Sequence, residues 1–334
     1  MGLVKKGIHT YRENGLLNTV EKSTSFVRSH PHYLHHAITN LAFRLRYGEG
    51  TDVMAKDWDN LLLLDACRYD IFSDENNIDG DLQSVISHGS SSLEFIEGNF
   101  ANEDLHDTVY VTANTYYDVL DDDVFHAVIT CFDHWDEELM TVPPGGVVET
   151  ALKAHEQYPQ KRLIIHFMQP HAPYIGEKGR ELRERLSRQI NITGMTLERA
   201  QKDSRTETEN SPRTVQTIEA PTVDGLDVSD TEIREAYTEN LNVVLSHVKE
   251  LLPQLTGKTV ISADHGELLG ERVFPLYRKR YEHPTYLHVP ELCIVPWLVI
   301  EGDERKYVNP EPPERYDSMR QEELDEKLEA LGYR

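Results

Sequence analysis

A chain of 334 residues with 58 Asp and Glu against 34 Lys and Arg carries a formal net charge of −24, which excludes nucleic acid as a natural partner because its phosphates would be repelled. The length suffices for a large core, and Cys67, Cys131 and Cys293 lie in apolar runs as buried thiols, without the paired spacing of a disulfide framework or zinc cluster. Carboxylates spread along the whole chain, as in 118–123 and 133–138, would keep a protein hydrated in concentrated salt, so a halophilic source is expected.

Residues 1–50 reverse the trend. They hold seven Lys or Arg against three Glu, net +4, while the remainder carries −28. Ser25 to Arg46 interleaves Phe26, Tyr33, Leu34, Ile38, Leu41, Phe43 and Leu45 with basic residues and histidines. That pattern suits an amphipathic helix on an anionic membrane, and it also suits an N-terminal helix packed on the core. No run approaches the roughly 20 apolar residues that span a bilayer, and the N-terminus lacks a secretory apolar core. A cytoplasmic protein is expected, with peripheral contact at the inner face of the membrane through residues 1–50 as the further expectation.

From Trp58 the chain repeats one unit. The run Leu61–Leu64 ends in Asp65, and Val109–Thr112 precedes Ala113 and Asn114. Leu163–Met168 precedes Gln169, Pro170 and His171; Thr259–Ser262 precedes Ala263, Asp264 and His265; Ile294–Ile300 closes the series. Short unalternating apolar runs are strands buried on both faces. Helical stretches intervene, over Val147–Tyr158 and over Ser229–Leu252, the latter opened by the capping-box string Ser229-Asp230-Thr231-Glu232. The alternation predicts an α/β fold, a three-layer α/β/α sandwich with a mostly parallel central sheet. Three parts are expected: a basic helical segment over 1–56, a catalytic domain over 57–300 and a tail over 301–334 with a helix over Ser318–Leu331. Residues 177–228, rich in Glu, Arg, Thr and Gln, read as a partly helical surface insertion that forms a lid.

Ligands in open α/β sheets bind beyond the carboxyl ends of the strands, where Asp65, His171, Asp264 and His265 converge. Two carboxylates and an imidazole there suit one divalent ion, Mn, Zn, Ca or Mg. A serine hydroxyl beside that ion is acidified and can attack phosphorus or sulfur. Ser90, Ser91 and Ser92 are available, and the spacing Ser91-Ser92-Leu93-Glu94 opens a short helix through Phe100, which these serines also suit as plain caps. Backbone N–H groups at that end attract an anionic ester.

Three ordered strings strengthen this reading: Leu61 to Asp70 (LLLLDACRYD), His166 to Tyr174 (HFMQPHAPY) and Ser262 to Glu267 (SADHGE). Together they resemble the sulfatase-like branch of the alkaline phosphatase superfamily. The strings Tyr281 to Pro284, Val289 to Leu292 and Val295 to Leu298 resemble a group of such proteins known mainly from salt-loving archaea. The resemblance implies Asp65, Asp264 and His265 as metal ligands. It implies Ser92 as the nucleophile and a further metal contact, with Ser91 in reserve. It also implies His171 and His283 as substrate-contacting groups, with His288 a rival for the second. The Cys/Ser-x-Pro-x-Arg string that true sulfatases convert to formylglycine is absent, which leans the substrate toward phosphate. No Asp-x-x-x-His string follows His171, so one ion rather than two is expected. The implied activity is hydrolysis of a phosphate or sulfate ester on a glycan, lipid or small molecule. The alternatives are a transferase that passes a phospho group to a glycan or lipid, and a non-catalytic binder of an anionic glycan.

Overall fold

The computed structural model describes residues 31–193, 228–274 and 278–314. The expected helix over Ser318–Leu331, the start of the basic segment and most of the lid lie outside the described residues.

The core is a seven-stranded sheet in the order β2-β9-β6-β1-β5-β3-β4. Its strands are β1 (Asn60–Leu64), β2 (Asp81–Ile86), β3 (Leu105–Thr112), β4 (Phe125–Thr130), β5 (Arg162–Phe167), β6 (Thr259–Ser262) and β9 (Ile294–Ile300). β1 pairs in parallel with β5 and β6, and β3 pairs in parallel with β4 and β5. β9 pairs antiparallel with both β6 and β2, so it alone runs against the rest. Every residue of β1 is buried, which requires cover on both faces and explains its unbroken leucines. A separate hairpin joins β7 (Leu268–Val273) to β8 (Arg278–Glu282).

Helices supply the cover. α2 (Tyr69–Glu75) follows β1, and α3 (Ser92–Asn99) follows β2. Phe95 of α3 and the adjoining Phe100 pack edge-on at 5.7 Å, and Phe100 meets Phe125 of β4 at 5.3 Å and Tyr110 of β3 at 5.8 Å. These rings fix the height and rotation of α3 over the sheet. α4 (Pro144–Gln157) buries Val147, Ala151 and Ala154. α6 (Asp230–Leu251) is capped as its sequence predicts: Ser229 Oγ accepts the Glu232 N–H at 3.3 Å, and Glu232 accepts the Ser229 N–H at 2.9 Å. The expected insertion opens as α5 (Glu177–Thr193), but its start is docked: Leu182 and Leu186 are buried, and Arg185 pairs with Glu232 of α6 at 2.6 Å.

α1 (Pro31–Tyr47) lies on a smaller apolar cluster, where its Phe43 joins Leu268, Val273, Leu287, Val289, Leu292 and Cys293. α7 (Pro290–Cys293) leads into β9. β2, β4 and the β7–β8 hairpin carry no apolar run of the kind the sequence signals elsewhere. β2 and β4 are the sheet's two edges, and the hairpin reads Leu-Leu-Gly-Glu-Arg-Val and Arg-Lys-Arg-Tyr-Glu. β2 is exposed or half-buried throughout, β4 is buried over Phe125–Val128 but carries His126 among its apolar residues, and the hairpin sets buried Leu268, Leu269 and Val273 among charged residues, so none shows the unbroken apolar run of the inner strands.

Candidate active site

Four side chains predicted to meet do so beyond the carboxyl ends of the parallel strands. Asp65 follows β1, Asp264 and His265 follow β6, and Ser92 is the first residue of α3; all four are fully buried. Ser92 Oγ donates to Asp264 Oδ2 at 2.7 Å and lies 3.4 Å from His265 Nε2. That nitrogen is 3.5 Å from both Asp65 Oδ1 and Asp264 Oδ2.

Local structure sets each group. Asp65 occupies a sharp turn, with Ala66 in the left-handed region at φ 59°. The turn is held by Ala66 N–H donating to Asp264 Oδ1 at 3.1 Å and by the Tyr237 hydroxyl, which donates to Ala66 O at 2.7 Å and accepts the Arg68 N–H at 3.0 Å. His265 Nδ1 lies 2.7 Å from the Gly266 carbonyl; as donor there it leaves Nε2 to face the carboxylates with its lone pair. Gly266 has no room for a side chain, since a Cβ would stand 2.1 Å from the Glu291 carbonyl. Ser92 reaches the cluster because Glu94 accepts the Ser90 N–H at 3.0 Å and the Ser90 hydroxyl at 2.6 Å, securing the approach to α3. Ser91 occupies the cap position with no side-chain cap bond, and Ser90 is committed to Glu94.

Asn114, two residues beyond β3, completes the group; its place after the apolar run Val109–Thr112 is its signal in sequence. Its Oδ1 accepts the Tyr116 N–H at 2.8 Å, which fixes the amide so that Nδ2 donates to Asp65 Oδ2 at 2.8 Å and Ser92 Oγ at 2.9 Å. His166, buried within β5, places Nε2 3.5 Å from Asp264 Oδ2, with Nδ1 2.7 Å from the Tyr110 hydroxyl. Burial alone would raise the Asp264 carboxyl, but the neighbouring His265 and His166 and the Ser92 hydroxyl hold it well below the usual carboxylate range. Burial also pushes His265 below its ordinary value, so it stands as a neutral imidazole.

The chemistry of this donor set fits a divalent cation. Asp65, Asp264 and His265 offer ligand atoms all within 4.8 Å of one another. His265 Nε2 stands 3.4 Å from Ser92 Oγ and 3.5 Å from Asp65 Oδ1 and Asp264 Oδ2, and imidazole and carboxylate are donor types that zinc accepts together. Two fully buried carboxylates beside a neutral imidazole also call for a counter-charge.

A second group adjoins the first. The His283 ring is 4.5 Å from that of His265 and 4.9 Å from that of His171, and His283 Nδ1 lies 3.2 Å from Glu267 Oε2. His171, Glu267 and His283 also present ligand atoms within 4.8 Å of one another. Glu267 was not foreseen as a site residue. Burial raises its carboxyl to about 8, and its Oε1 is buried with no hydrogen-bond partner. Burial, then the neighbouring His283 and His265, push His171 well below its ordinary value. The absence of an Asp-x-x-x-His string therefore did not exclude a second ion-binding geometry, because these groups come from three separate segments. His288 lies elsewhere, 3.1 Å from Glu94. Arg68 is taken up by Asp70 at 2.7 Å and Glu271 at 2.5 Å.

A buried serine at a helix start faces a carboxylate–imidazole cluster beyond a mostly parallel sheet, a candidate metal site on an α/β fold. Among solved structures, the C-terminal periplasmic domain of EcEptC from Escherichia coli in complex with Zn matches at 14% identity and TM-score 0.45, covering 77% of this chain and 76% of that one. The soluble domain of lipooligosaccharide phosphoethanolamine transferase A from Neisseria meningitidis matches at 10% identity and TM-score 0.43, over 75% and 79%. A protein in the alkaline phosphatase superfamily from Vibrio parahaemolyticus matches at 13% identity and TM-score 0.37, over 85% and 68%. No protein-family model and no curated protein matches the chain.

Proposed function

We propose that the chain cleaves a phosphate ester by a metal-dependent route through a phosphoserine at Ser92, and that water is the usual acceptor. The observation that carries this is the Ser92 hydroxyl, buried and held at once by Asp264 at 2.7 Å and Asn114 at 2.9 Å.

Asp65, Asp264 and His265 would hold the ion, of which zinc and manganese suit the mixed donors best. When bound, it would acidify the serine hydroxyl and offset charge on the phosphoryl oxygens. As Ser92 Oγ, acidified by the ion, bonds to phosphorus, its proton is lost to solvent, and Asp264 Oδ2 and Asn114 keep the oxygen oriented. The bond from phosphorus to the ester oxygen breaks, and the departing oxygen takes a proton from the Glu267–His283 pair, with His171 beside it. Water then attacks the phosphoserine and loses a proton to that pair, while the bond from phosphorus to Ser92 Oγ breaks, the serine oxygen regains a proton from solvent and phosphate leaves. A sugar or lipid hydroxyl in place of water makes the same chemistry a transfer, and product analysis with and without a sugar acceptor separates the two. An unmodified serine favours phosphate over sulfate.

The acidic surface we read as adaptation to concentrated salt, in a cytoplasmic setting. A panel of phosphate and sulfate monoesters and diesters, assayed in high salt with several divalent ions, tests the reading. Ion-dependent turnover of a phosphate ester is expected, and turnover unaffected by chelation contradicts it.

A further inference from the structure

α1 has two apolar faces, and the fold uses one. Thr39 and Phe43 are buried against the hairpin and the 284–293 segment, whereas Ile38, Leu41 and Leu45 are 44%, 60% and 80% exposed. Their spacing of three and four residues places them in one stripe, turned away from Thr39 and Phe43. Arg44 and Arg46, both exposed, fall on either side of that stripe at 100° per residue. The exposed rings of Phe274 and Tyr286 stand beside the helix, where Thr39 Oγ1 donates to Phe274 O and Asn40 Nδ2 to Tyr286 O, each at 3.0 Å. Among the described residues, three of the seven exposed large apolar side chains form this stripe, and Phe274 and Tyr286 are exposed on the segments bonded by Thr39 and Asn40. Such concentration marks an interaction site rather than chance exposure.

We propose that this surface docks on an anionic lipid bilayer, with Ile38, Leu41 and Leu45 entering the interface and the flanking basic residues meeting the headgroups. The charge distribution selects that occupant. The first 50 residues are net +4 and the rest carries −28, so an anionic bilayer attracts this end and repels the body, orienting the molecule. A second copy would bring another −24 to the contact. No helix among the described residues is long and apolar enough to cross a membrane.

The patch is also tied to the active site. His288 N–H donates to Asn40 Oδ1 at 2.8 Å, Tyr286 N–H to Glu94 at 2.9 Å and Leu287 N–H to Ser90 Oγ at 3.1 Å. The loop beneath α1 thereby grips the start of the helix that presents Ser92. Resting on the catalytic reading above, this makes a phosphoester borne on a membrane lipid the substrate class: the bilayer would hold the lipid beside the patch while its phosphate enters the site.

Vesicle flotation of the full chain tests docking without any turnover. The probes are phosphatidylcholine vesicles with and without about a quarter phosphatidylglycerol, at the lowest salt that keeps the chain folded by circular dichroism, because concentrated salt screens the attraction. Wild type and Ser92→Ala are expected to float with the anionic vesicles alone, and Leu41→Glu/Leu45→Glu to lose about tenfold in the bound fraction while keeping wild-type turnover of a soluble ester. Failure of wild type to bind, equal binding to neutral vesicles, or wild-type flotation of the double variant overturns the proposal. A dimer by light scattering that the double variant converts to monomer, without vesicle binding, assigns the patch to a second copy instead. Docking with no turnover of any phosphoester by wild type leaves the patch assigned and rejects only the catalytic reading.

Discussion

Asn114 donates to the Ser92 hydroxyl at 2.9 Å from an amide whose oxygen is pinned by a backbone N–H. The serine is thus oriented from two sides, by an acceptor on Asp264 and a donor on Asn114. Asn114→Ala keeps all the proposed ion ligands and removes one of these constraints. A loss of about 100-fold in kcat is expected, with ion content and fold retained, because small misplacements of a reacting group carry costs of that order. Steady-state kinetics beside elemental analysis check it.

Ion removal separates the two clusters. Chelation is expected to abolish turnover and lower the melting temperature, since an ion present at 100 times its Kd stabilises the folded state by about 2.7 kcal/mol. Asp264→Asn should lose the ion and the stabilisation together. Counting ions per chain by elemental analysis then reads the second cluster: a second equivalent lost in His283→Ala but kept in Asp264→Asn assigns it to His171, Glu267 and His283.

Much of this arrangement is legible in the sequence, and the omissions share a cause. β1, β3, β5, β6 and β9 announce themselves because strands buried on both faces must be apolar throughout, and the residues just beyond β1 and β6 are the ones the fold converges. Edge strand β2, exposed or half-buried throughout, has no such obligation, and in β4 His126 interrupts the apolar residues. Asn114 is signalled by its place after Val109–Thr112, but its role, like that of Glu267, lies in aim and burial, which spacing does not encode. His166 did leave a trace, as the one ionisable group within the otherwise apolar run Leu163–Met168. Such an interruption in a buried strand implies a partner, here Tyr110 and Asp264.

Glu94 is the hub that joins α3 to the loop before α7. Its carboxylate accepts from Ser90 N–H, Ser90 Oγ and Tyr286 N–H and faces His288. Burial would raise this carboxyl, yet His288 and the Ser90 groups hold it below its ordinary value. Glu94→Ala strands these donors and is expected to cost about 2–4 kcal/mol in denaturant unfolding. It should also lower turnover, because the approach to Ser92 loosens.

Lys306 gives the expected pH dependence of stability at a distance from the site. Its ammonium donates to Asn60 Oδ1 at 2.7 Å and to the Lys161 carbonyl at 3.2 Å, and burial pulls it down to about 8 from 10.5. Between those values the unfolded chain holds the proton that the folded chain has released, so this residue's contribution to stability rises with pH from about 8 to about 10.5. Lys306→Met should remove that increment. Urea unfolding of both proteins at pH 7 and pH 10 measures it, and equal pH responses would contradict the assignment.

Rapid acid quench during turnover of p-nitrophenyl phosphate, followed by peptide mass mapping, tests the catalytic claim most directly. The account predicts a burst of product and a phosphoryl group on Ser92, both missing in Ser92→Ala together with nearly all turnover. Near-normal turnover by Ser92→Ala, or a phosphoryl group on Ser90 or Ser91 instead, would contradict it.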